Sequence, residues 1–181
     1  MRARLEYQAG HAIVWRDAIV QYFLKQSGIP DAEGRAGHYP GRLEAEDARL
    51  TGYRVIAVTP WEDASGGKAI SCSEARGCSA EWTWTGAQGR FDAAVEYFDL
   101  QGGAAKFTLE VNGAPAASWI ADAALPSRRP NGDNSTRENI RNVVLKPGDV
   151  LRVEGTPDGQ DPAALDYVEV MAASDPNGVK K

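Results

Sequence analysis

Residues 143–155 read VVLKPGDVLRVEG, two β-forming runs joined by a turn. Valine and leucine favour extended backbone, and the Pro147-Gly148 pair is of the kind that reverses the chain between strands. Comparable segments bounded by turn residues recur along the sequence: YRVIAV, KAISC, AEWTWTG, FDAAVEYFDL, AKFTLEVNG and LDYVEV. A series of about eight short strands is typical of an all-β sandwich, and we predict this fold for residues 42–173.

The composition limits the classes of partner. A chain of 181 residues can bury the core of one domain, and its formal net charge is −5 at pH 7. Such a charge does not provide the basic surface that nucleic acid or an anionic membrane attracts. No apolar run approaches the length of a membrane span. We therefore expect neither nucleic acid nor a membrane as a partner.

The N-terminal part of the chain follows a different pattern. Residues 3–27 lack proline and place apolar side chains, among them Trp15 and Ile19, at helical spacing. Gly28 then suits the left-handed cap that ends many helices. We predict a helical extension over residues 1–30.

This predicted helix is more apolar than a surface helix needs to be. Residues 18–24 read AIVQYFL, so the helix must pack on the domain that follows, on a second copy in a homodimer, or on a partner outside this chain. Met1 precedes what reads as the middle of a helix, which suggests a piece of a longer polypeptide. Residues 31–41, DAEGRAGHYPG, are predicted to be a linker or a loop strapped across a surface, and residues 174–181 a frayed tail.

The two cysteines are close together in the sequence. Cys72 and Cys78 stand in SCSEARGCSAEW, where strand-like residues flank five turn-forming ones. The two sulfurs are therefore expected to face each other across the neck of a hairpin at disulfide distance, a reduced buried pair being the alternative. A disulfide would place the protein in a periplasmic or secreted compartment.

Acidic residues mark both ends of the predicted sandwich. In RLEAED, Glu44 and Glu46 would lie on one face of an extended first strand, and Asp166 falls in the last strand. First and last strands of a sandwich commonly lie side by side, which would bring the three carboxylates together. Calcium prefers such oxygen ligands, and a solvated acidic strand face is the alternative.

Several of these segments resemble known carbohydrate-binding modules. RLEAED, ASGGKAI, FTLEVNG, VVLKPGDVLRVEG and ALDYVEV are similar to motifs of the related module families 6, 35 and 36, over about residues 42–171. The resemblance implies a jelly-roll-like β-sandwich with a structural calcium ion. The ligands that it implies are Glu44, Glu46, Asp166 and a backbone carbonyl of Gly67 or Lys68.

The resemblance also implies a sugar site in the loops at one end of the sandwich. Sugar rings stack on aromatic side chains, and Trp61 or Trp119 could be the platform; the alternative is that each covers the end of the core. Trp82 and Trp84 lie in phase on one strand and are expected in the core. In many relatives an asparagine before the last strand binds sugar; Ala164 stands there, and Asp158, Gln160 and Asp161 are the neighbouring candidates.

The long polar segment 121–139 holds further candidates for the sugar site. It contains Arg128, Arg129, Asn134 and Arg137, and a guanidinium can bind a carboxylate through two hydrogen bonds. These residues therefore suggest a uronic acid ligand, with a solvated loop as the alternative.

The N-terminal segment carries a second resemblance. LEYQAGHAIVWRDAIVQYFLKQSGIPD is similar to the C-terminal helical end of bacterial α-glucuronidases of glycoside hydrolase family 67. This implies the tail of a xylan-debranching enzyme with an appended module, without the catalytic barrel. We expect non-catalytic carbohydrate binding that targets an α-glucuronidase to glucuronoxylan or a similar uronic-acid polysaccharide, or alternatively a structural or dimerisation domain that has lost sugar binding.

Overall fold

The computed structural model describes residues 41–58 and 64–173, together with Phe23, Gln26, Ser27 and Gly28. Two short 3-10 helices, Ala45–Asp47 and Ser65–Gly67, accompany the strands. The strands are β1 (Arg42–Glu44), β2 (Arg49–Thr51), β3 (Tyr53–Ala57), β4 (Lys68–Cys72), β5 (Cys78–Thr83), β6 (Gly89–Phe98), β7 (Lys106–Val111), β8 (Ala114–Ile120), β9 (Ser135–Leu145), β10 (Val150–Thr156) and β11 (Leu165–Ala172).

The strands form two antiparallel sheets. Sheet A has the order β3-β4-β11-β6-β9, with β1 also paired to β11, and sheet B has the order β2-β5-β10-β7-β8. The inner faces of both sheets supply the core, which includes Val95, Leu109, Leu151, Val153 and Val168. The prediction of an all-β sandwich is confirmed.

The turn at residues 146–149 joins the strands as the sequence predicts. Gly148 takes a positive φ of 93°, and the carboxylate of Asp149 accepts the Lys146 N–H at 2.9 Å. Trp84 holds the turn to sheet B, because its backbone N–H donates to the Asp149 carbonyl. Trp82 and Trp84 are both buried, as expected.

The Cys72–Cys78 disulfide is present, with the two Cα atoms 5.7 Å apart. Cys72 ends β4 in sheet A, and Cys78 begins β5 in sheet B. The bridge therefore joins the two sheets directly, and the hairpin predicted around it is wrong because β4 and β5 belong to different sheets.

Two other local predictions are wrong, and one strand is not predicted. Glu46 does not share a strand face with Glu44, because the chain turns into the 3-10 helix Ala45–Asp47 and buries Ala45 in the core. Arg137 does not lie in a polar loop, because β9 already begins at Ser135. The sequence also gives no indication of β8. This strand contains Pro115, and the proline is tolerated because β8 lies at the edge of sheet B.

The predicted helical extension, linker and tail lie outside the described residues, except for four positions and Gly41. Phe23, Gln26 and Ser27 are helical, and Gly28 has a φ of +62°, the left-handed conformation predicted for a cap. Within residues 41–58 and 64–173 the structure contains no helix that could span a lipid bilayer.

Candidate functional site

The ends of the sandwich sequence meet at an acidic site. β1 runs antiparallel to β11, with Glu44 opposite Tyr167, and Asp166 lies at the adjacent irregularity in β11. Ser65 connects the two strands: its N–H donates to both carboxylate oxygens of Asp166, at 3.0 and 3.1 Å, and its hydroxyl donates to Glu44 Oε1 at 2.7 Å. Glu44 and Asp166 therefore face each other across Ser65.

Glu46 also lies near this turn. Its Oε1 lies 3.8 Å from the position that a Cβ would take on Gly66. The Gly66 and Gly67 backbones have φ values of 60° and 73°, a conformation that favours glycine. The Gly67 carbonyl accepts the Val58 N–H at 2.9 Å, and Lys68 begins β4 beside it. The predicted ligands are thus gathered around the turn Ser65–Gly67.

Negative charge is in excess at this site. Burial raises the pKa of Asp166 well above its usual value, and Glu96 and Glu44 add to the shift. Burial also raises the pKa of Glu44. Arg42 opposes both shifts, and its guanidinium donates to Ser65 Oγ at 3.1 Å. Even so, one carboxylate oxygen of Glu44 and one of Glu46 are buried with no hydrogen-bond partner among the described residues.

The chemistry of these groups suits a calcium ion. Carboxylate and backbone oxygens are its preferred ligands, and buried acceptor atoms without a donor are satisfied by a cation. In the part of the chain that the structure describes, no three acidic, histidine or cysteine side chains already stand at metal-ligand spacing. Binding an ion would therefore require these carboxylates to move closer together than they are in this structure.

A buried ionic network adjoins the acidic site on the outward face of sheet A. Glu96 on β6 is fully buried, and it accepts hydrogen bonds from Arg137 Nε at 3.0 Å and the Ser135 hydroxyl at 2.6 Å. Arg137 also donates to the Tyr167 hydroxyl at 2.9 Å and lies 3.7 Å from Glu169. Burial raises the pKa of Glu96, and Arg137 opposes that shift. Arg137, predicted to bind sugar, is thus engaged within the fold.

Trp119, one of the two predicted platforms, packs against the core. Its ring stacks on Phe107 with the centroids 5.5 Å apart, and it also contacts Tyr97 at 5.8 Å. Its indole N–H is buried without an acceptor among the described residues. Trp61, the other predicted platform, lies outside them.

Asn134 stabilises the conformation of the loop before β9. Asn134 is fully buried, accepts the Asn131 N–H, and donates to the carbonyls of Ser127 and Arg129. Arg128 and Arg129 are exposed on this loop. Of the polar residues predicted in this segment, these two arginines are the ones presented to solvent at the loop surface.

Asp161 also holds backbone in place. Its carboxylate accepts the N–H groups of Leu100 at 3.3 Å and Ala163 at 2.9 Å. Burial raises the pKa of Asp161 to about 6, and nearby Asp99 adds to the shift. Asp99 in turn accepts the N–H groups of residues 123 and 124, both at 2.9 Å. The two aspartates tie the loops at this end of the sandwich to β6.

Comparison with solved structures defines the class of fold. The family 35 carbohydrate-binding module of Clostridium thermocellum matches 73% of this chain and 98% of that chain, with a TM-score of 0.54 and 18% identity. The family 35 module of Paenibacillus barcinonensis matches the same shares with a TM-score of 0.54 and 19% identity. At such identity the likeness concerns the fold.

Comparison of sequences points to a particular enzyme family. Residues 1–36 match the family model described as the C-terminus of glycosyl hydrolase family 67. The chain is 42% identical over 178 residues to alpha-glucuronidase A of Aspergillus tubingensis, and 40% identical to the probable alpha-glucuronidase A of Aspergillus niger. Each match covers 94% of this chain and 21% of the relative.

Together the matches support a family 67 C-terminal region that carries a sandwich like that of carbohydrate-binding modules, as predicted. The chain spans 21% of the length of these two relatives. Both relatives are fungal, so they give no support to the bacterial origin that the sequence suggested.

Proposed function

We propose that this chain is a non-catalytic carbohydrate-binding module that holds an α-glucuronidase near glucuronoxylan or another uronic-acid polysaccharide. The observation that carries the proposal is the combination of a family 35 module fold with 42% identity to an alpha-glucuronidase along nearly the whole chain. Binding to the polymer would raise the local concentration of substrate at the enzyme. Arg128 and Arg129 are the side chains proposed to bind the uronate.

The carboxylates support a structural role in this proposal. Glycosidases use two carboxyl groups that flank the scissile bond in a cleft. Glu44 and Asp166 instead share one partner, Ser65, inside the fold. We propose that a calcium ion, bound by Glu44, Glu46, Asp166 and a carbonyl of Gly67 or Lys68, ties β1 to β11.

The proposed location is outside the reducing cytosol. Disulfides persist in secreted and periplasmic proteins, and Cys72 is bonded to Cys78. A polysaccharide ligand would be met in the same compartment.

Calorimetry on the full chain tests sugar binding. Glucuronic acid, xylo-oligosaccharides and glucuronoxylan are titrated with and without calcium. Binding is expected for the uronic-acid ligands, and the double variant Arg128→Ala/Arg129→Ala should abolish it, as should Trp61→Ala if that ring is the platform. The matched control is Arg141→Ala, an exposed arginine on β9. Absence of heat with every ligand would refute the proposal.

A structural or dimerisation domain is the second candidate. It is favoured by the internal engagement of Asn134, Arg137 and Asp161, three residues predicted to bind sugar. This candidate predicts no sugar binding together with a concentration-dependent dimer in sedimentation.

A further inference from the structure

Arg42 and Glu44 lie on the same face of β1. The residue between them, Leu43, packs against the core, so the side chains of Arg42 and Glu44 both point to the outward face of sheet A. β1 is antiparallel to β11, with Arg42 opposite Glu169 and Glu44 opposite Tyr167. In this arrangement the Arg42 guanidinium lies over the Tyr167 ring, 4.0 Å from its centre.

The guanidinium of Arg42 is one hydroxyl group away from the acidic site. Its Nη1 donates to Ser65 Oγ at 3.1 Å, and the Ser65 hydroxyl donates to Glu44 Oε1 at 2.7 Å. The Ser65 N–H in turn donates to both carboxylate oxygens of Asp166. Arg42, Ser65 and the two carboxylates therefore form one connected unit between β1 and β11.

Arg42 supplies positive charge to these carboxylates. It lowers the pKa of Glu44 and that of Asp166, against the larger effect of burial. A second arginine on this face, Arg137, forms an ion pair with Glu96 at 3.0 Å, so its charge is balanced there. Among the described residues, Arg42 is thus the arginine whose charge is directed to the acidic site.

Arg42 and a calcium ion would be attracted by the same carboxylates. The three carboxylate side chains proposed as calcium ligands carry three negative charges when all are ionised. Arg42 offsets one of these charges, and a divalent ion would offset the other two. Because both cations would lie close to the same groups, they would also repel each other.

We propose that Arg42 is the internal counter-ion of the acidic site: it holds Glu44 and Asp166 beside Ser65 when no ion is bound, and it weakens the binding of calcium. This inference rests on the calcium site proposed above. A unit cation about 6 Å from a divalent ion weakens its binding by about tenfold even at the dielectric constant of water, and by more in a buried site. Extracellular calcium-binding modules have dissociation constants of about 0.1 to 1 mM, and Arg42 would keep this site in that weak range.

Calcium titration by calorimetry on the chelated full chain tests this role. Arg42→Met removes the charge and leaves an unbranched side chain to pack on Tyr167. Its calcium dissociation constant is expected to be about tenfold lower than that of the wild type, whereas its melting temperature in chelator should be lower. Arg42→Lys keeps the charge and should bind calcium as the wild type does. The matched control, Arg141→Met at an exposed position on β9, should change neither quantity.

The outcomes separate this inference from the calcium site itself. Tighter binding by Arg42→Met supports the inference, and it does so even if the wild type binds no calcium, in which case the calcium site proposed for the wild type fails alone. Equal or weaker binding by Arg42→Met would overturn the inference and leave the calcium site standing. Absence of binding in both proteins would overturn both. If Arg42→Met does not fold in chelator, the neutral variant Arg42→Gln, which keeps an N–H donor, takes its place and the same outcomes decide.

Discussion

At the scale of single residues, Arg137 shows how a charged side chain can be essential to a β-sandwich without lying at its surface. It pairs with a fully buried carboxylate, Glu96, and with the Tyr167 hydroxyl. Arg137→Leu would leave that carboxylate without its cation, and this typically costs about 3 to 5 kcal/mol. We expect a loss of this size in the free energy of unfolding, measured by urea denaturation.

The double variant Glu96→Leu/Arg137→Leu is the control for this prediction. Removing both partners leaves no unpaired buried charge, so the double variant should be more stable than Arg137→Leu alone. A single variant as stable as the exposed-site variant Arg141→Leu would contradict the importance of the pair.

The raised pKa of Asp161 predicts that the free energy of unfolding depends on pH. Its pKa is raised to about 6 in the folded chain, above the ordinary value of roughly 4, so the folded state holds the proton more tightly. This contribution to stability is complete below the unfolded pKa and is lost as the pH rises through about 6. The free energy of unfolding should therefore fall over this range, measured by urea denaturation with calcium chelated.

Asp161→Asn removes the titration and keeps an oxygen for one of the two backbone N–H donors. The variant should have a shallower pH slope, because other buried carboxyl groups such as Asp99 and Asp166 still shift in the same direction. Identical slopes for the variant and the wild type would show that Asp161 does not carry this effect.

The sequence predicts the residues of the acidic site better than their arrangement. Glu44 and Asp166 come together because first and last strands are neighbours, as expected. The shared strand face proposed for Glu44 and Glu46 is wrong, since a 3-10 helix separates them. Neither Ser65 nor the Glu96–Arg137 pair could be found, because residues 41 positions apart give no local pattern.

At the scale of elements, the disulfide joins β4 of sheet A to β5 of sheet B. Closing so short a loop lowers the conformational entropy of the unfolded chain, and this stabilises the folded state by about 2 kcal/mol. The double variant Cys72→Ala/Cys78→Ala should lower the melting temperature by roughly 5 °C in calorimetry. Reductant should lower the wild-type melting temperature similarly and leave the variant unchanged; a reductant effect on the variant would point to another cause.

Strand prediction succeeded where the hydrophobic pattern is local. β3 to β7, β10 and β11 all coincide with segments singled out by alternation and flanking turns. β8 and the first half of β9 were missed because Pro115 and the run Ser135-Thr136-Arg137 resemble loop sequence. In both cases tertiary contacts stabilise the strand. β8 pairs with β7 at the edge of sheet B, and Arg137 forms an ion pair with a carboxylate on β6.

At the scale of the whole molecule, a calcium ion between β1 and β11 would join distant parts of the sequence. A ligand that binds the folded state alone stabilises it by about 2.7 kcal/mol at about 100 times its Kd, which raises the melting temperature by roughly 5 to 10 °C. Chelation followed by calcium should lower and then restore the melting temperature. Glu46→Gln should weaken this response, whereas Asp47→Asn, a change at its exposed neighbour, should preserve it.

Magnesium is the control cation. Its coordination shell is smaller and more regular than that of calcium, so it should stabilise the protein less. A melting temperature that does not respond to calcium in the chelated wild type would remove the proposed ion from this site.

The position of β11 affects how the protein can be made. The last strand that the structure describes, β11, occupies the middle of sheet A, between β4 and β6. During translation, the β3-β4 and β6-β9 pairs leave the ribosome before β11, the strand that joins them. Until β11 is made, both pairs have unpaired strand edges. The sandwich can close only after residue 172 emerges, so we expect nascent chains to depend on chaperones and messages truncated before Leu165 to yield aggregating products.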